Sequence, residues 1–130
     1  MPNSDNTRAR VLIVDDQPLN VAVLEELLEE HDVATAYCGT EALEEFESFH
    51  PDIVLLDVMM PGMSGLEVCQ EIRRREQPGQ TVVVFLSAKA MPEDVQAGLA
   101  VGANDYVTKP FHHFEILSKV EDYLAAKNKA

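Results

Sequence analysis

The stretch of sequence that decides the fold is VLIVDD, residues 11–16, in which four apolar residues run without a polar interruption into two aspartates. An unbroken apolar run of this length predicts a strand buried on both faces, as in a parallel sheet. Two further runs have the same character: Ile53 to Leu56, which closes on Asp57, and Thr81 to Leu86, which leads into Ser87. Strands covered on both faces need helices on both sides of the sheet, so these runs predict an α/β protein.

The segments around these runs complete an alternation of strands and helices. Two further strands are predicted, Asp32 to Tyr37 and Tyr106-Val107, and a weaker helix 4 begins near Pro92 and contains Gly98. Helix 3 is expected to break at Gln77-Pro78-Gly79. The other helices carry apolar residues at helical spacing, namely Val21, Leu24, Leu27 and Leu28; Ala42, Leu43, Phe46 and Phe49; Leu66, Cys69 and Ile72; and Phe114, Leu117, Val120 and Leu124. Five alternations predict a doubly wound five-stranded parallel sheet with helices on both faces, because parallel neighbours need crossover connections.

The length and net charge of the chain limit the number of domains and the kinds of partner that we expect. With 130 residues the chain fits one domain, residues 1–130, with a core at about residues 8–126. The net charge of −13 would repel phosphate backbones and anionic lipid, so no direct contact with nucleic acid or membrane is expected. No apolar run could cross a bilayer, and the polar start, Met1 to Arg10, lacks a signal-peptide core. A cytoplasmic location is therefore expected. Cys38 and Cys69 are expected to be reduced, half-buried thiols, and the four histidines lack metal-ligand spacing.

Polar residues follow four of the predicted strands at the point where each strand ends. They are Asp15-Asp16, Asp57, Ser87 and Lys109. Each residue alone is most simply a solvated or turn-capping side chain. Together they meet a specific expectation, because ligands of open parallel sheets bind at the carboxyl ends of the strands.

Three neighbouring carboxylates call for a cation. They would raise one another's pKa, whereas Mg²⁺ prefers oxygen ligands and removes the repulsion. Three carboxylates and the Lys109 ammonium have a formal charge of −2, which one Mg²⁺ balances. Such a pocket is suited to phosphoryl transfer, with Asp57 as the nucleophile that forms an aspartyl phosphate. The metal, Lys109 and the Ser87 hydroxyl would take phosphoryl oxygens.

Four ordered motifs resemble those of response-regulator receiver domains of two-component signalling: VLIVDD (11–16), DIVLLD (52–57), MPGMSG (60–65) and VTKP (107–110). The resemblance spans about residues 8–126. It implies a flavodoxin-like (βα)5 fold and phosphoryl capture from a sensor histidine kinase or phosphotransfer protein. It implies no enzyme activity beyond the domain's own phosphorylation and slow dephosphorylation.

The resemblance also implies a role for each matching residue at the phosphorylation site. Asp57 is the phospho-acceptor and Lys109 is the phosphate-binding cation. Asp16, Asp57 and the main-chain carbonyl of Met59 match magnesium ligands, and Asp15 holds the metal directly or through water. The peptide bond between Lys109 and the following proline is often cis in this family.

A second set of implied roles concerns signalling. Ser87 matches the switch hydroxyl and Tyr106 the aromatic residue that turns inward, although an aromatic side chain in a short strand is more often simply part of the core. The output partner is a protein or domain bound through the face of helix 4, strand 5 and helix 5, and a phosphorylation-dependent dimer is a further option. Leu19, Val21 and Val23 are candidates for the kinase-docking face.

Hydrolysis of the phosphoaspartate is tuned in this family by the residues two positions after the acceptor and after the switch hydroxyl. Here these are Met59 and Lys89, and neither is an acid or amide that positions water well. We therefore expect slow self-dephosphorylation.

The sequence leaves one alternative open and disfavours two others. The chain is either a stand-alone regulator or a receiver fragment of a larger regulator or hybrid kinase. A phosphatase of the haloacid dehalogenase type would need an aspartate where Met59 stands. A flavodoxin would need a first loop rich in Ser, Thr and Gly, which Asp15-Asp16-Gln17 does not provide.

Overall fold

The computed structural model describes residues 8–76 and 80–129 and forms one five-stranded sheet flanked by five helices. The strands are β1 (Arg10–Val14), β2 (Asp32–Ala36), β3 (Ile53–Asp57), β4 (Val82–Ser87) and β5 (Asp105–Thr108). The helices are α1 (Pro18–Leu27), α2 (Gly39–Phe49), α3 (Gly65–Arg75), α4 (Pro92–Ala100) and α5 (His113–Lys129). The predicted strand bounds differ from these by at most one residue at each end. The expected break of helix 3 at Gln77-Pro78-Gly79 lies outside the described residues.

The strand order is β2-β1-β3-β4-β5, and every pair of neighbours is parallel. The chain leaves β1 towards β2 and then crosses back to β3, so the order reverses beside β1. Ligands of doubly wound sheets bind at such a switch point, outside the carboxyl ends of the strands. The predicted flavodoxin-like fold class is confirmed.

Two apolar clusters lie on the two faces of the sheet. Alternate strand residues point to opposite faces, so Val11 and Ile13 join one cluster while Leu12 and Val14 join the other. Helices α1 and α5 cover the first cluster, and α2 and α3 cover the second. Because both faces are covered, β3 and β4 are buried along their whole length. Within the described residues, no helix is both long and apolar enough to cross a membrane.

Local sequence explains where several helices begin and end. The hydroxyl of Ser64 accepts the main-chain N–H of Glu67, whose carboxylate accepts the N–H of Ser64, and this capping box starts α3. Pro18 and Pro92 occupy the first turns of α1 and α4, where a missing N–H carries no penalty. His50 takes the left-handed conformation that ends α2, with φ 55°.

Three predictions about single side chains are wrong. Phe114 does not join the apolar stripe of α5 and is 79% exposed, because it lies about half a turn around the helix axis from the buried Ile116. Val21 is fully buried and cannot contribute to a docking face. Cys69 is fully buried rather than half-buried, whereas Cys38 is half-buried as expected, and both thiols are free.

Candidate functional site

Three aspartates converge at the carboxyl ends of β1 and β3. Asp15 and Asp16 directly follow β1, and Asp57 is the last residue of β3. One carboxylate oxygen from each of the three lies within 4.8 Å of the others. Asp15 and Asp57 are 3% and 8% exposed, so these charges are removed from most of the solvent that would screen them.

Lys109 brings a positive charge to the same cluster from the end of β5. Its Nζ lies 3.1 Å from Oδ2 of Asp15 and 3.7 Å from Oδ2 of Asp57. Its main-chain N–H donates to the carbonyl of Ser87 at 2.8 Å, which ties the end of β5 to the end of β4. The Lys109–Pro110 peptide bond is cis, as expected.

Burial is the main reason that the pKa of Asp57 is raised above its ordinary value. The Lys109 ammonium and the N–H of Met59, which donates to Oδ1 of Asp57 at 3.1 Å, act in the opposite direction, and the carboxylates of Asp15 and Asp16 add to the rise. The contacts with Lys109 and Met59 therefore do not fully offset the solvation that the ionised Asp57 carboxylate loses on burial.

Ser87 and Tyr106 are connected through the main chain of one residue in the β4–α4 loop. The Ser87 hydroxyl is fully buried and accepts the N–H of Lys89 at 3.1 Å. The carbonyl of Lys89 accepts the Tyr106 hydroxyl at 2.7 Å. The half-buried Tyr106 ring also packs against Phe85, with ring centroids 6.0 Å apart. Ser87, at the carboxyl end of β4, is thus linked to the Tyr106 side chain of β5 through the main chain of Lys89.

Comparison with known proteins shows to which family this chain belongs. The model of the response regulator receiver domain matches residues 11–121. The chain belongs to the receiver domain family. Its similar solved structures include the BeF3-activated receiver domain of DrrB from Thermotoga maritima, which is 34% identical over 91% of this chain and 98% of that one, with a TM-score of 0.83.

Two other receiver structures are similar to the same extent. The chemotaxis protein CheY4 of Vibrio cholerae is 32% identical over 89% of this chain and 98% of that one, with a TM-score of 0.83. The receiver domain of the Francisella response regulator 1452 is 30% identical over 92% of this chain and 99% of that one, with a TM-score of 0.85. This chain is therefore a response regulator receiver domain with the flavodoxin-like architecture of its relatives.

Receiver domains bind Mg²⁺ at an acidic pocket, and the donors of this domain fit that ion. All three side chains of the cluster offer hard carboxylate oxygens, which Mg²⁺ prefers to nitrogen or sulfur. Burial raises the pKa of Asp57, and the carboxylates of Asp15 and Asp16 add to the rise, so a bound cation would favour the ionised form of Asp57. The three carboxylates and the Lys109 ammonium together have a formal charge of −2, which one Mg²⁺ would balance.

The structure adds one polar residue to the site that the sequence reasoning missed. Asn20, in the first turn of α1, donates from Nδ2 to Oδ2 of Asp15 at 3.3 Å, while the N–H of Gln17 donates to Oδ1 of the same carboxylate at 2.9 Å. Both oxygens of Asp15 are therefore oriented by neighbours. An amide five residues after Asp15 was visible in the sequence, but only the turn into α1 brings it back to the carboxylate.

An apolar groove adjoins the acidic cluster of this receiver domain. It encloses about 440 Å³ between α1 and the β5–α5 loop, and its lining includes Val23, Phe111 and Lys109. Leu19 and Phe114, next in the chain to two lining residues, are 76% and 79% exposed. Large apolar side chains with this exposure beside a reactive site are typical of a protein-docking surface.

Proposed function

We propose that this receiver domain is switched by transfer of a phosphoryl group to the carboxylate of Asp57. The observation that carries the proposal is the position of the Lys109 ammonium, within 4 Å of both Asp15 and Asp57, in a buried cluster that gathers three aspartates. A buried carboxylate beside a fixed cation is a suitable nucleophile for phosphorus. In the transfer, an oxygen of Asp57 bonds to phosphorus as the bond from phosphorus to the donor imidazole breaks.

The metal-binding role follows from the oxygen donors. Asp16, Asp57 and the main-chain carbonyl of Met59 would bind Mg²⁺, and Asp15 would bind it directly or through a water. The ion would supply positive charge to the phosphoryl oxygens and relieve the repulsion among the aspartates. Asn20 and the N–H of Gln17 keep the Asp15 carboxylate in one orientation for this role.

Lys109 and Ser87 would stabilise the phosphoryl group once it is attached. Lys109 offers an ammonium to its oxygens, and its contacts with two carboxylates hold it in place beforehand. Ser87 offers a hydroxyl that accepts the main-chain N–H of Lys89 in this structure. If Ser87 turns to the phosphoryl group, Lys89 loses a partner and its main chain is free to move.

The Lys89 main chain would carry this change to the output surface. Its carbonyl accepts the Tyr106 hydroxyl, so a shift of the β4–α4 loop changes the position that Tyr106 favours. Tyr106 lies in β5, between α4 and α5 in the output face that we propose. A downstream protein or output domain would bind there according to the state of the switch.

The phosphoryl donor would be a phosphohistidine on a sensor histidine kinase or phosphotransfer protein. The groove between α1 and the β5–α5 loop gives such a protein an apolar place to dock beside Asp57, with Leu19, Val23 and Phe114 as its exposed contacts. Val21, which is buried, takes no part.

The test is intact-mass analysis after incubation with acetyl phosphate and Mg²⁺. The wild type should gain the mass of one phosphoryl group, whereas Asp57→Asn should gain none and a chelator should block the reaction. The matched control is Asp122→Asn, at an exposed position of α5, which should be phosphorylated like the wild type. An unchanged wild-type mass under all conditions, or equal labelling of Asp57→Asn, would refute the proposal.

A further inference from the structure

Gly98 is an unusual residue for its place in the fold. It lies in the last turn of α4, and within a helix glycine is less favourable than any other residue except proline. It is also the one buried residue of that helix. A glycine that weakens a helix and yet faces the protein interior calls for a packing explanation.

The explanation lies in two aromatic rings beneath α4. A Cβ atom added to Gly98 would lie 2.8 Å from Cδ2 and 3.0 Å from Cε2 of Tyr106, and 3.1 Å from Cδ2 of Phe85. Carbon atoms in contact are normally about 3.5–4.0 Å apart. The helix therefore approaches the Tyr106 ring more closely than any residue with a side chain would allow.

The same Tyr106 ring is fixed at its other end. Its hydroxyl donates to the carbonyl of Lys89, whose N–H in turn donates to the Ser87 hydroxyl. Phe85, fully buried in β4, cannot move aside without disturbing the core. Tyr106 is less deeply buried than Phe85, and the space left by Gly98 is what allows its ring to lie under α4.

We propose that Gly98 is a positioning residue for switching. By lacking a Cβ it forms a notch in α4 that seats the Tyr106 ring, and the notch determines how readily the Tyr106 hydroxyl reaches Lys89. This inference rests on the proposed function in one respect, namely that Tyr106 takes part in the switch. The packing of the notch itself does not depend on phosphorylation.

A methyl group at position 98 should displace the ring. In Gly98→Ala either Tyr106 turns out of the notch or α4 moves away from the sheet, because Phe85 leaves no other space. Both movements separate the Tyr106 hydroxyl from the Lys89 carbonyl. The seated state is then less populated in the unphosphorylated protein, so phosphorylation should change the position of Tyr106 less than it does in the wild type.

The position of Tyr106 can be read by ¹⁹F NMR of the full chain labelled with 3-fluorotyrosine. The chain has three tyrosines, so Tyr→Phe variants assign each resonance. In the unphosphorylated protein, Gly98→Ala should move the Tyr106 resonance towards its value in urea and leave that of Tyr37 unchanged. The matched control is Ala97→Gly, which removes a Cβ from the neighbouring exposed position of α4 and should leave Tyr106 unmoved. An unchanged Tyr106 resonance in Gly98→Ala overturns the inference.

A double-mutant cycle separates the notch from a general effect on the helix. In the wild-type background Gly98→Ala should lower the urea midpoint, since the methyl group meets Tyr106. In the Tyr106→Ala background the same change should lower the midpoint less or raise it, since the two closest contacts are gone, only the contact with Phe85 remains, and alanine favours the helix. Gly98→Ala changes the folding equilibrium constant by some factor in each background. These two factors should differ by roughly threefold or more, as is usual for residues in contact. Equal responses in both backgrounds overturn the inference.

Phosphorylation then connects the notch to signalling. With acetyl phosphate and Mg²⁺, the Tyr106 resonance of the wild type should move, and that of Gly98→Ala should move less at equal phosphorylation of Asp57 measured by mass. Equal movement in both proteins overturns the regulatory role of Gly98. Absence of phosphorylation together with a displaced Tyr106 in Gly98→Ala overturns the proposed function and leaves the notch in place.

Discussion

Gly65 packs against the main chain of Asp57 so closely that a Cβ on Gly65 would lie 2.1 Å from the Asp57 carbonyl oxygen. The N–H of Gly65 also donates to the carbonyl of Val58 at 2.8 Å. The start of α3 therefore rests directly on the residue that we propose as phospho-acceptor. Because main-chain atoms fill this contact, no rotamer change could make room for a side chain at position 65.

Gly65→Ala should therefore impair both stability and phosphorylation. Overpacking of this kind lowers the free energy of unfolding by about 1–3 kcal/mol or more. Displacement of the Asp57 main chain should also slow phosphorylation, by roughly tenfold to a hundredfold. Urea denaturation and the rate of mass gain with acetyl phosphate measure the two effects.

The control for Gly65 is Gly62→Ala, in the same loop. Gly62 has a φ of 77°, and a Cβ there would meet no atom within 4 Å. The substitution should cost about 1 kcal/mol of backbone strain but leave the rate of phosphorylation unchanged. If Gly65→Ala were phosphorylated as fast as Gly62→Ala, the contact with Asp57 would have no role in catalysis.

The lifetime of the phosphorylated form provides a second prediction. Met59 is 57% exposed, and the partly exposed side chain of Lys89 lies 3.9 Å from the Asp94 carboxylate. Neither side chain can orient a water for attack on phosphorus as an amide or acid does. Loss of the phosphoryl mass after removal of the donor should take minutes or longer. Met59→Asn should shorten the lifetime several-fold, while Met91→Asn, at a position 58% exposed, should not. A wild-type lifetime of seconds would contradict this prediction.

His31 makes the stability of the fold dependent on pH. The side chain is 7% exposed, and its Nδ1 accepts the main-chain N–H of Ala9 at 2.9 Å. Protonation of Nδ1 would remove this acceptor. Burial lowers the pKa of His31 from its ordinary value of 6.5, with a further contribution from Arg8, whereas the nearby carboxylates of Glu121, Glu30 and Asp32 partly oppose the shift.

The direction of the pH dependence follows from that lowered pKa. The fold favours neutral His31, so its contribution to stability is present above the unfolded pKa and is lost as the pH falls through 6.5 towards the folded pKa. The contribution of His31 to the free energy of unfolding should therefore decrease as the pH is lowered through 6.5. His31→Gln, which keeps an acceptor but does not titrate, should show a shallower dependence in urea denaturation. The control His112→Gln, at an exposed position, should keep the wild-type dependence, and equal slopes for all three proteins would contradict the role of His31.

The sequence predicted those features that depend on one segment at a time. Strands such as Ile53–Asp57 are buried on both faces, and such burial excludes polar residues until the strand ends, so the strand and the site residue Asp57 could be predicted together. The order of the five helices and the acidic cluster followed from the same alternation. The resemblance of four motifs then supplied the family.

Features that depend on contacts between segments could not be predicted in this way. The sequence predicts a weak helix around Gly98 and shows Gly65 only as part of a motif, because sequence shows the conformational freedom of glycine but not the atoms beside it. Their close contacts are with Asp57 and Tyr106, each eight residues away. Phe114 was placed in the core because its spacing from Leu117 suits a helix, whereas the rotation of α5 about its own axis is set by its packing on the sheet.

The raised pKa of Asp57 leads to a last prediction, about Mg²⁺. A carboxyl whose folded pKa exceeds its unfolded value of 3.8 stabilises the fold at low pH, and this contribution is lost as the pH rises through the folded pKa. At neutral pH the ionised Asp57 therefore lowers the free energy of unfolding.

In chelator, Asp57→Asn should be more stable than the wild type by about 1 kcal/mol, within the usual range of stabilising substitutions. At a Mg²⁺ concentration about 100 times the Kd, the wild type should gain about 2.7 kcal/mol, whereas Asp57→Asn, which lacks one carboxylate ligand, should gain less, so the order of stability should reverse. Urea denaturation in chelator and in Mg²⁺ measures both values, and Asp122→Asn should follow the wild type in each. If Asp57→Asn were the less stable protein in chelator, the buried cluster would not be the source of electrostatic strain that its geometry indicates.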